Sequence, residues 1–337
     1  MILIDNNQIL MANTFVTEKI LLSTGLKIED ASAEQVLTVF RRQVLHSYAR
    51  ILELFPASEF GEVILCHDSS SCWREEVFPY YKYSRKESRK TDSNTDDRYA
   101  IINQLRDEVS VKLPFKNMKV EGAEADDIIA VLTRLHTGLK CKPEHIVIVS
   151  ADKDFKQLHD DTNVKQFDYF RRKYIEVDDP KDELIDQIVR GDATDGIPNM
   201  FTPDSIFLLE GTRQTPCSKK KINHVKTLID DDLNMDSQHT ESRNWNRNRT
   251  LIDFECIPMH IQQKIFREYT NAVVPPVSFK SVCHYFSQSG TQLPSYLLKE
   301  EHFFKDATPV EKQQPQSTTL PASSLLTTLS ARQGDWG

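Results

Sequence analysis

Ile146-Val147-Ile148-Val149-Ser150-Ala151-Asp152-Lys153-Asp154 decides the architecture. Its first four residues are apolar and β-branched without alternation, the signature of a strand buried on both faces. Two aspartates lie directly beyond it, where like charges repel unless the place has a use for them. Two other runs repeat the arrangement. Val63-Ile64-Leu65-Cys66 ends in His67-Asp68, and Ile2-Leu3-Ile4 ends in Asp5.

Helical periods separate these runs. Val36, Leu37, Phe40, Val44, Leu45, Tyr48, Ile51 and Leu52 mark one face of a helix over residues 33–54. Further helices are expected over 99–113 and 124–136, with a short strand at Met118-Lys119-Val120 between them. Strands are expected at 163–169 and 173–177, and Pro180 opens a helix that runs to Arg190. Alternating strands and helices imply an α/β fold, a parallel-rich central sheet flanked by helices. Beyond Gly191 the β pattern stops, and 191–304 reads as helices and loops. From about Asp306 the composition turns to Ser, Thr, Pro and Gln, as in a disordered tail. The expected division is an α/β domain over 1–190, a helical domain over 191–304 and a tail over 305–337, without internal repeats.

Composition narrows the function. Of 337 residues, 39% are hydrophobic, enough for a core and too many for a wholly disordered chain. No apolar run approaches the roughly eighteen residues of a membrane span. The N-terminus shows no signal peptide, and six cysteines without C-x-x-C spacing read as reduced thiols, so a cytoplasmic monomer is expected. The net charge of −8 argues mildly against nucleic acid, but the charges are clustered.

In an open parallel sheet, ligands bind beyond the carboxyl ends of the strands. Asp5, Asp68 and Asp152 should therefore share one rim. Glu124-Ala125-Asp126-Asp127 opens a helix after a strand and should join them. Asp154 and the Gly191-Asp192-Ala193-Thr194-Asp195-Gly196 loop add more. Taken singly, each acid is explained as a helix cap, a turn residue or a solvated loop. Together they are not: two carboxylates about 5 Å apart repel by roughly 3 kcal/mol at an effective dielectric of 20. Such a cluster needs cations or captured protons. An all-oxygen donor set suits Mg²⁺ or Mn²⁺, and paired ions of that kind serve phosphodiester hydrolysis.

Directly after Asp68 comes a polar segment, 72–98, with few core positions. In it Trp73, Arg74, Phe78, Tyr80, Tyr81, Lys82, Tyr83, Arg85, Lys86, Arg89 and Lys90 interleave bases with rings. Basic groups track phosphates and rings stack on unpaired bases; a solvated loop is the plainer alternative. Lys219-Lys220-Lys221 forms a second basic cluster, and Arg243, Arg247 and Arg249 a third. Each is a solvated face or part of a duplex seat.

Three stretches together resemble the motifs of the 5′-nuclease (flap endonuclease/5′→3′ exonuclease) superfamily. They are Glu124-Ala125-Asp126-Asp127, Ser150-Ala151-Asp152-Lys153-Asp154-Phe155 and Gly191-Asp192-Ala193-Thr194-Asp195-Gly196-Ile197-Pro198-Asn199. Later segments, Gly211-Thr212-Arg213-Gln214-Thr215-Pro216 and Leu251-Ile252-Asp253-Phe254-Glu255-Cys256-Ile257-Pro258, are most similar to its T-even phage ribonuclease H branch. The resemblance covers about residues 1–290.

It implies a PIN-like core with a helical arch over 72–98 and a helix-three-turn-helix duplex grip. It also implies a two-metal Mg²⁺ nuclease, with Mn²⁺ as substitute, acting on RNA–DNA hybrids and 5′ flaps in lagging-strand replication. One ion would draw on Asp5, Asp68, Asp126 and Asp152, the other on Glu124, Asp127, Asp154, Asp192 and Asp195. Lys82 and Arg85 would hold the scissile phosphate, with Arg74 nearby; Tyr81 would stack on the terminal base, and Lys219, Lys220 and Lys221 would seat DNA. Where cellular members carry a glycine-rich hairpin, this chain has Met200-Phe201-Thr202-Pro203-Asp204, so K⁺ binding there does not follow. Leu325, Leu326 and Trp336 leave the tail either inert or a docking peptide for a sliding clamp or single-strand-binding protein. A non-catalytic branched-DNA scaffold and a phosphoacceptor receiver domain are the rival functions; the second has no use for a basic arch.

Overall fold

The computed structural model describes residues 1–27, 30–91, 95–138, 145–160, 163–208, 211–230 and 240–293. The expected tail, with Leu325, Leu326 and Trp336, lies outside them, as does Cys141.

The chain opens with β1 (Ile2–Asp5), then α1 (Asn6–Ser23), α2 (Ala33–Leu54) and the single-turn α3 (Ala57–Phe60). Next come β2 (Val63–His67), α4 (Trp73–Val77), α5 (Tyr83–Thr91), α6 (Thr95–Lys112), β3 (Lys116–Lys119), α7 (Ala125–Thr137) and β4 (Ile146–Val149). β5 (Val164–Asp168), β6 (Lys173–Ile175) and α8 (Pro180–Arg190) follow. The chain continues as α9 (Lys219–Asp230), α10 (Thr240–Ile252), α11 (Met259–Asn271) and α12 (Phe279–Gln288).

The six strands form one sheet in the order β3-β2-β1-β4-β5-β6. All neighbours are parallel except β5 and β6. The register sets Ile4 beside Leu65 and Val149, so β1, β2 and β4 end together and their following acids emerge on one edge. Strand alternation sorts the apolar side chains between two faces. Leu3, Ile64, Cys66, Ile146 and Ile148 face one core; Ile2, Ile4, Val63, Leu65, Val147 and Val149 face the other.

α7 lies on the first face, together with Leu251, Ile252, Phe254, Ile257, Ile261 and Ile265 from the C-terminal half. α2 and α6 cover the second, joined by Val282, Tyr285 and Phe286 of α12. The C-terminal helices thus pack into both cores of the sheet. A third cluster, Ile185, Val189, Met200, Ile222 and Val225, holds α8 to α9.

Two elements differ from the sequence reading. α1 was not expected, because its buried side carries Asn6, Asn13, Thr14 and Thr17 instead of an apolar stripe. Hydrogen bonds compensate most of this burial: Tyr48 donates to Asn6 Oδ1 at 2.6 Å, and Asn13 donates to Ile9 O at 2.8 Å and Ser47 at 3.0 Å, while Asn6 Nδ2 is left without a partner. The segment after Asp68 was expected to hold few core positions. Instead Cys72, Trp73, Arg74, Phe78 and Tyr81 are all buried, so its root is part of the core, while Val77 between them and Tyr83 beyond them are exposed.

Candidate active site

Local structure fixes each acid. Asp5 caps α1, accepting from Gln8 N at 3.1 Å, while its other oxygen accepts from Ser150 Oγ at 3.0 Å. Asp68 accepts from Ala125 N at 2.9 Å, which ties the end of β2 to the start of α7. Asp152 caps a short 3₁₀ turn, accepting from Asp154 N at 3.0 Å. The backbone beneath is pinned by Gln187, which donates to Lys153 O at 3.1 Å. Asp192 caps a second 3₁₀ turn through Thr194 N at 2.8 Å.

These groups act on one another electrostatically. Burial, then the charges of Asp68 and Asp152, push the Asp5 carboxyl up to about 7 against the opposing hydrogen bonds. Asp126 is pushed well above the carboxylate range by burial, then Asp152, then Asp5. Burial and Asp152 push Asp154 to about 8, with Asp192 and Asp195 adding to it. Burial raises Asp68 as well, with Glu124 the largest neighbouring charge acting in the same direction. Asp5, Asp68, Asp126, Asp152 and Asp154 make no direct ion pair with any described basic side chain.

The remaining acids are matched by cations. Lys82 Nζ lies 2.5 Å from Glu124 Oε1 and 3.7 Å from Asp195 Oδ2. Arg85 pairs with Asp195 at 2.7 Å and donates to Thr194 O at 3.1 Å. Lys153 pairs with Asp192 at 2.8 Å. Burial pushes Glu124 up, but Lys82 and then Arg74 outweigh it and hold its carboxyl at about 2. Burial likewise opposes the lowering of Asp192, which Lys153 and Thr194 bring about. Lys82 itself stands at φ 53, a left-handed conformation that costs a residue with a Cβ on the order of 1 kcal/mol. Two contacts hold it there. Its N–H donates to Asp195 O at 2.7 Å, and Gly196 packs so closely that a Cβ would stand 2.7 Å from Tyr80 O.

Four expected roles are corrected. Glu124, expected at the second ion, has both oxygens engaged within the protein: Oε1 lies 2.5 Å from Lys82 Nζ, and Oε2 accepts from Arg74 at 3.0 Å and Tyr81 at 2.8 Å. Arg74 is buried rather than open to phosphate: it donates to Leu251 O at 2.8 Å and Glu124 at 3.0 Å, and pairs with Asp127 at 2.9 Å. Asp127 is fully buried and turned into the protein, where Trp73 Nε1 donates to it at 3.1 Å and Glu124 N at 2.9 Å. Its carboxylate holds Arg74 and the α7 N-terminus, not the rim. Tyr81 is only 3% exposed, and its hydroxyl donates to Glu124 at 2.8 Å, so its ring is no stacking platform. Breaking such a buried charge cluster costs about 3–5 kcal/mol, whereas a half-exposed pair is worth about 1 kcal/mol or less.

Lys219, Lys220 and Lys221 are exposed at the start of α9; Lys221 Nζ lies 4.5 Å over the Phe201 ring. The third basic cluster is largely consumed. Arg243 and Arg247 both pair with Asp204, and Arg249 pairs with Asp253 at 3.3 Å. Arg247 and Asn248 also donate to Pro198 O at 2.9 Å, steadying the loop after Asp195. Sequence reasoning gave no role to Lys153, although its place between two aspartates was visible.

The residues fit divalent cations by donor chemistry, because carboxylate oxygens dominate and several have no counter-charge; the one described thiol bonded to a rim acid, Cys72, donates to Glu124 at 3.1 Å on the side where that acid is already paired. Among the described residues, no three His, Cys, Asp or Glu side chains yet stand close enough to close around an ion.

The description "5′-3′ exonuclease, N-terminal resolvase-like domain" matches residues 1–187, more than half of the chain. The chain belongs to this 5′-3′ exonuclease family. The description "T4 RNase H, C terminal" matches residues 179–295. A Ribonuclease H of Enterobacteria phage T4 is 28% identical over 282 residues, covering 81% of this chain and 90% of that protein. A 5′-3′ exonuclease of Buchnera aphidicola is 28% identical over 181 residues, or 50% of this chain and 59% of that one. Among solved structures, a T5 5′-exonuclease with bound zinc ions shares the fold at a TM-score of 0.54. It is 18% identical over 80% of this chain and 98% of that one. The family match fits the parallel-rich sheet and the helical C-terminal half seen here. No described helix is long and apolar enough to cross a membrane.

Proposed function

We propose that this member of the 5′-3′ exonuclease family is a divalent-cation-dependent nuclease of the phage ribonuclease H type. It hydrolyses phosphodiester bonds at 5′ ends, at 5′ flaps and in the RNA strand of RNA–DNA hybrids, leaving a 5′-phosphate. The observation that carries this reading is the meeting of Asp5, Asp68, Asp126, Asp152 and Asp154 on one sheet edge beside Lys82.

Asp5, Asp68, Asp126 and Asp152 would hold one Mg²⁺ or Mn²⁺, and Asp154, Asp192 and Asp195 a second. Such ions supply an activated water and stabilise the leaving oxygen. The chain's own residues do the rest. Lys82, held rigidly at the rim, presents a fixed positive charge whose attraction strengthens as charge builds on the phosphoryl oxygens. Arg85, half-exposed on the arch side, orients a non-bridging oxygen. Glu124 positions Lys82, and Arg74 with Asp127 positions Glu124. Lys219, Lys220 and Lys221 in the 191–304 half contact duplex phosphates, and the 72–98 arch admits a single strand. Primer removal in lagging-strand synthesis is the cellular task this activity fits.

Product mapping tests the reading. A 5′-labelled flap and an RNA–DNA hybrid should be cut only with Mg²⁺ or Mn²⁺. Tight, metal-independent binding to the same junctions without cleavage would favour the scaffold reading instead.

A further inference from the structure

Lys153 sits between Asp152 and Asp154, and its Nζ pairs with Asp192 Oδ2 at 2.8 Å. The other oxygen of Asp192 is already taken: Oδ1 accepts from Thr194 N at 2.8 Å and also from the Thr194 hydroxyl and Asp195 N. Both oxygens of Asp192 are therefore engaged while Lys153 stays in place, and Oδ2 is held by a positive charge that a cation would meet first. On the other side of the rim, Asp5, Asp68, Asp126 and Asp152 have no such partner.

The Lys153 pair is built to open. Its side chain is 48% exposed, so the ammonium can withdraw into water. The backbone beneath it stays fixed, because Gln187 holds Lys153 O and Gln166 holds Asp152 O and Ser150 O. Withdrawal leaves Asp152 and Asp154 where they are. By contrast Lys82 is only 21% exposed and is shared between two acids.

We propose that Lys153 is an internal counter-ion that competes with the second divalent cation for Asp192, making the two ion sites unequal and setting the concentration at which the second one fills. The inference rests on the two-ion reading above. The second ion enters by exchange, displacing an ammonium that a half-exposed pair holds by a factor of about five. The first ion meets no such competitor.

Manganese binding to the full chain without nucleic acid, followed by the loss of the free-ion paramagnetic resonance signal, tests this. The wild-type chain should show one tighter and one weaker site. In Lys153→Gln the weaker site should tighten about fivefold with the tighter one unmoved, and Lys153→Arg should restore the wild-type pattern. The Lys153 side chain is half-exposed and its backbone carbonyl bond to Gln187 does not depend on it, so both variants should fold. Identical binding in wild type and Lys153→Gln, or equal shifts at both sites, would overturn the competition. If the wild-type chain bound no manganese at all, the two-ion reading itself would fall and this inference with it.

Discussion

The two halves of the acidic rim solve the same electrostatic problem in opposite ways. Around Asp5, Asp126 and Asp154 the carboxylates make no direct ion pair, and burial together with their mutual repulsion raises all three, Asp5 to about 7 and Asp154 to about 8. Around Glu124, Asp192 and Asp195 the chain brings Lys82, Lys153 and Arg85 to the acids. The first half is a place kept open for cations. In the second, side-chain cations already sit on the acids and fix the arch root to the sheet edge, so a divalent ion there has to displace one of them. Charge that a stable protein would neutralise is left bare on the side that β1, β2 and β4 share.

Substitutions can break this contrast. The largest effect is expected at Asp126, whose charge is opposed by burial and by both Asp152 and Asp5. Asp126→Asn should reduce cleavage to background while junction binding survives, and the protein should become no less stable. Near-normal turnover would remove Asp126 from the ion site. Arg74→Ala belongs to the opposite class: it leaves Glu124 and Asp127 buried without a partner and should destabilise the fold by about 3–5 kcal/mol in urea unfolding. Lys82→Ala should slow single-turnover cleavage by at least about tenfold, toward a hundredfold, with junction affinity little changed. A pure affinity defect would contradict its role on the phosphate.

The two halves should also respond to pH with opposite sign. Asp5 has a folded value of about 7 against an ordinary 3.8, so the folded state holds its proton more tightly than the unfolded chain does. Its contribution to stability is full below about 4 and is lost as pH rises through about 7. Glu124, at about 2 against 4.5, contributes above 4.5 and loses that contribution as pH falls toward 2. Divalent cations must displace the Asp5 and Asp154 protons. Saturating Mg²⁺ should therefore raise the melting temperature by roughly a few degrees more at pH 8 than at pH 6. Asp5→Asn should shrink that difference.

Much of the sheet was legible because its strands are apolar on both faces and end in acids; β1, β2 and β4 need no knowledge of their neighbours to be recognised. α1 was not, since Asn6, Asn13 and Thr17 are buried through hydrogen bonds that only the packed fold supplies. The acids were visible as a set, but their partners were not. Nothing in the sequence says that Arg74 reaches Leu251 O, or that Tyr81 turns inward to Glu124. A basic and aromatic run looks the same whether its first residues anchor it or bind substrate. Burial decides between the two, and burial is a property of the assembled core.

The most direct test of the central claim is anomalous scattering from a crystal of this chain soaked in manganese. Two peaks are predicted, one among Asp5, Asp68, Asp126 and Asp152 and one among Asp154, Asp192 and Asp195. A rim without any peak, its carboxylates still turned to one another, would contradict the account.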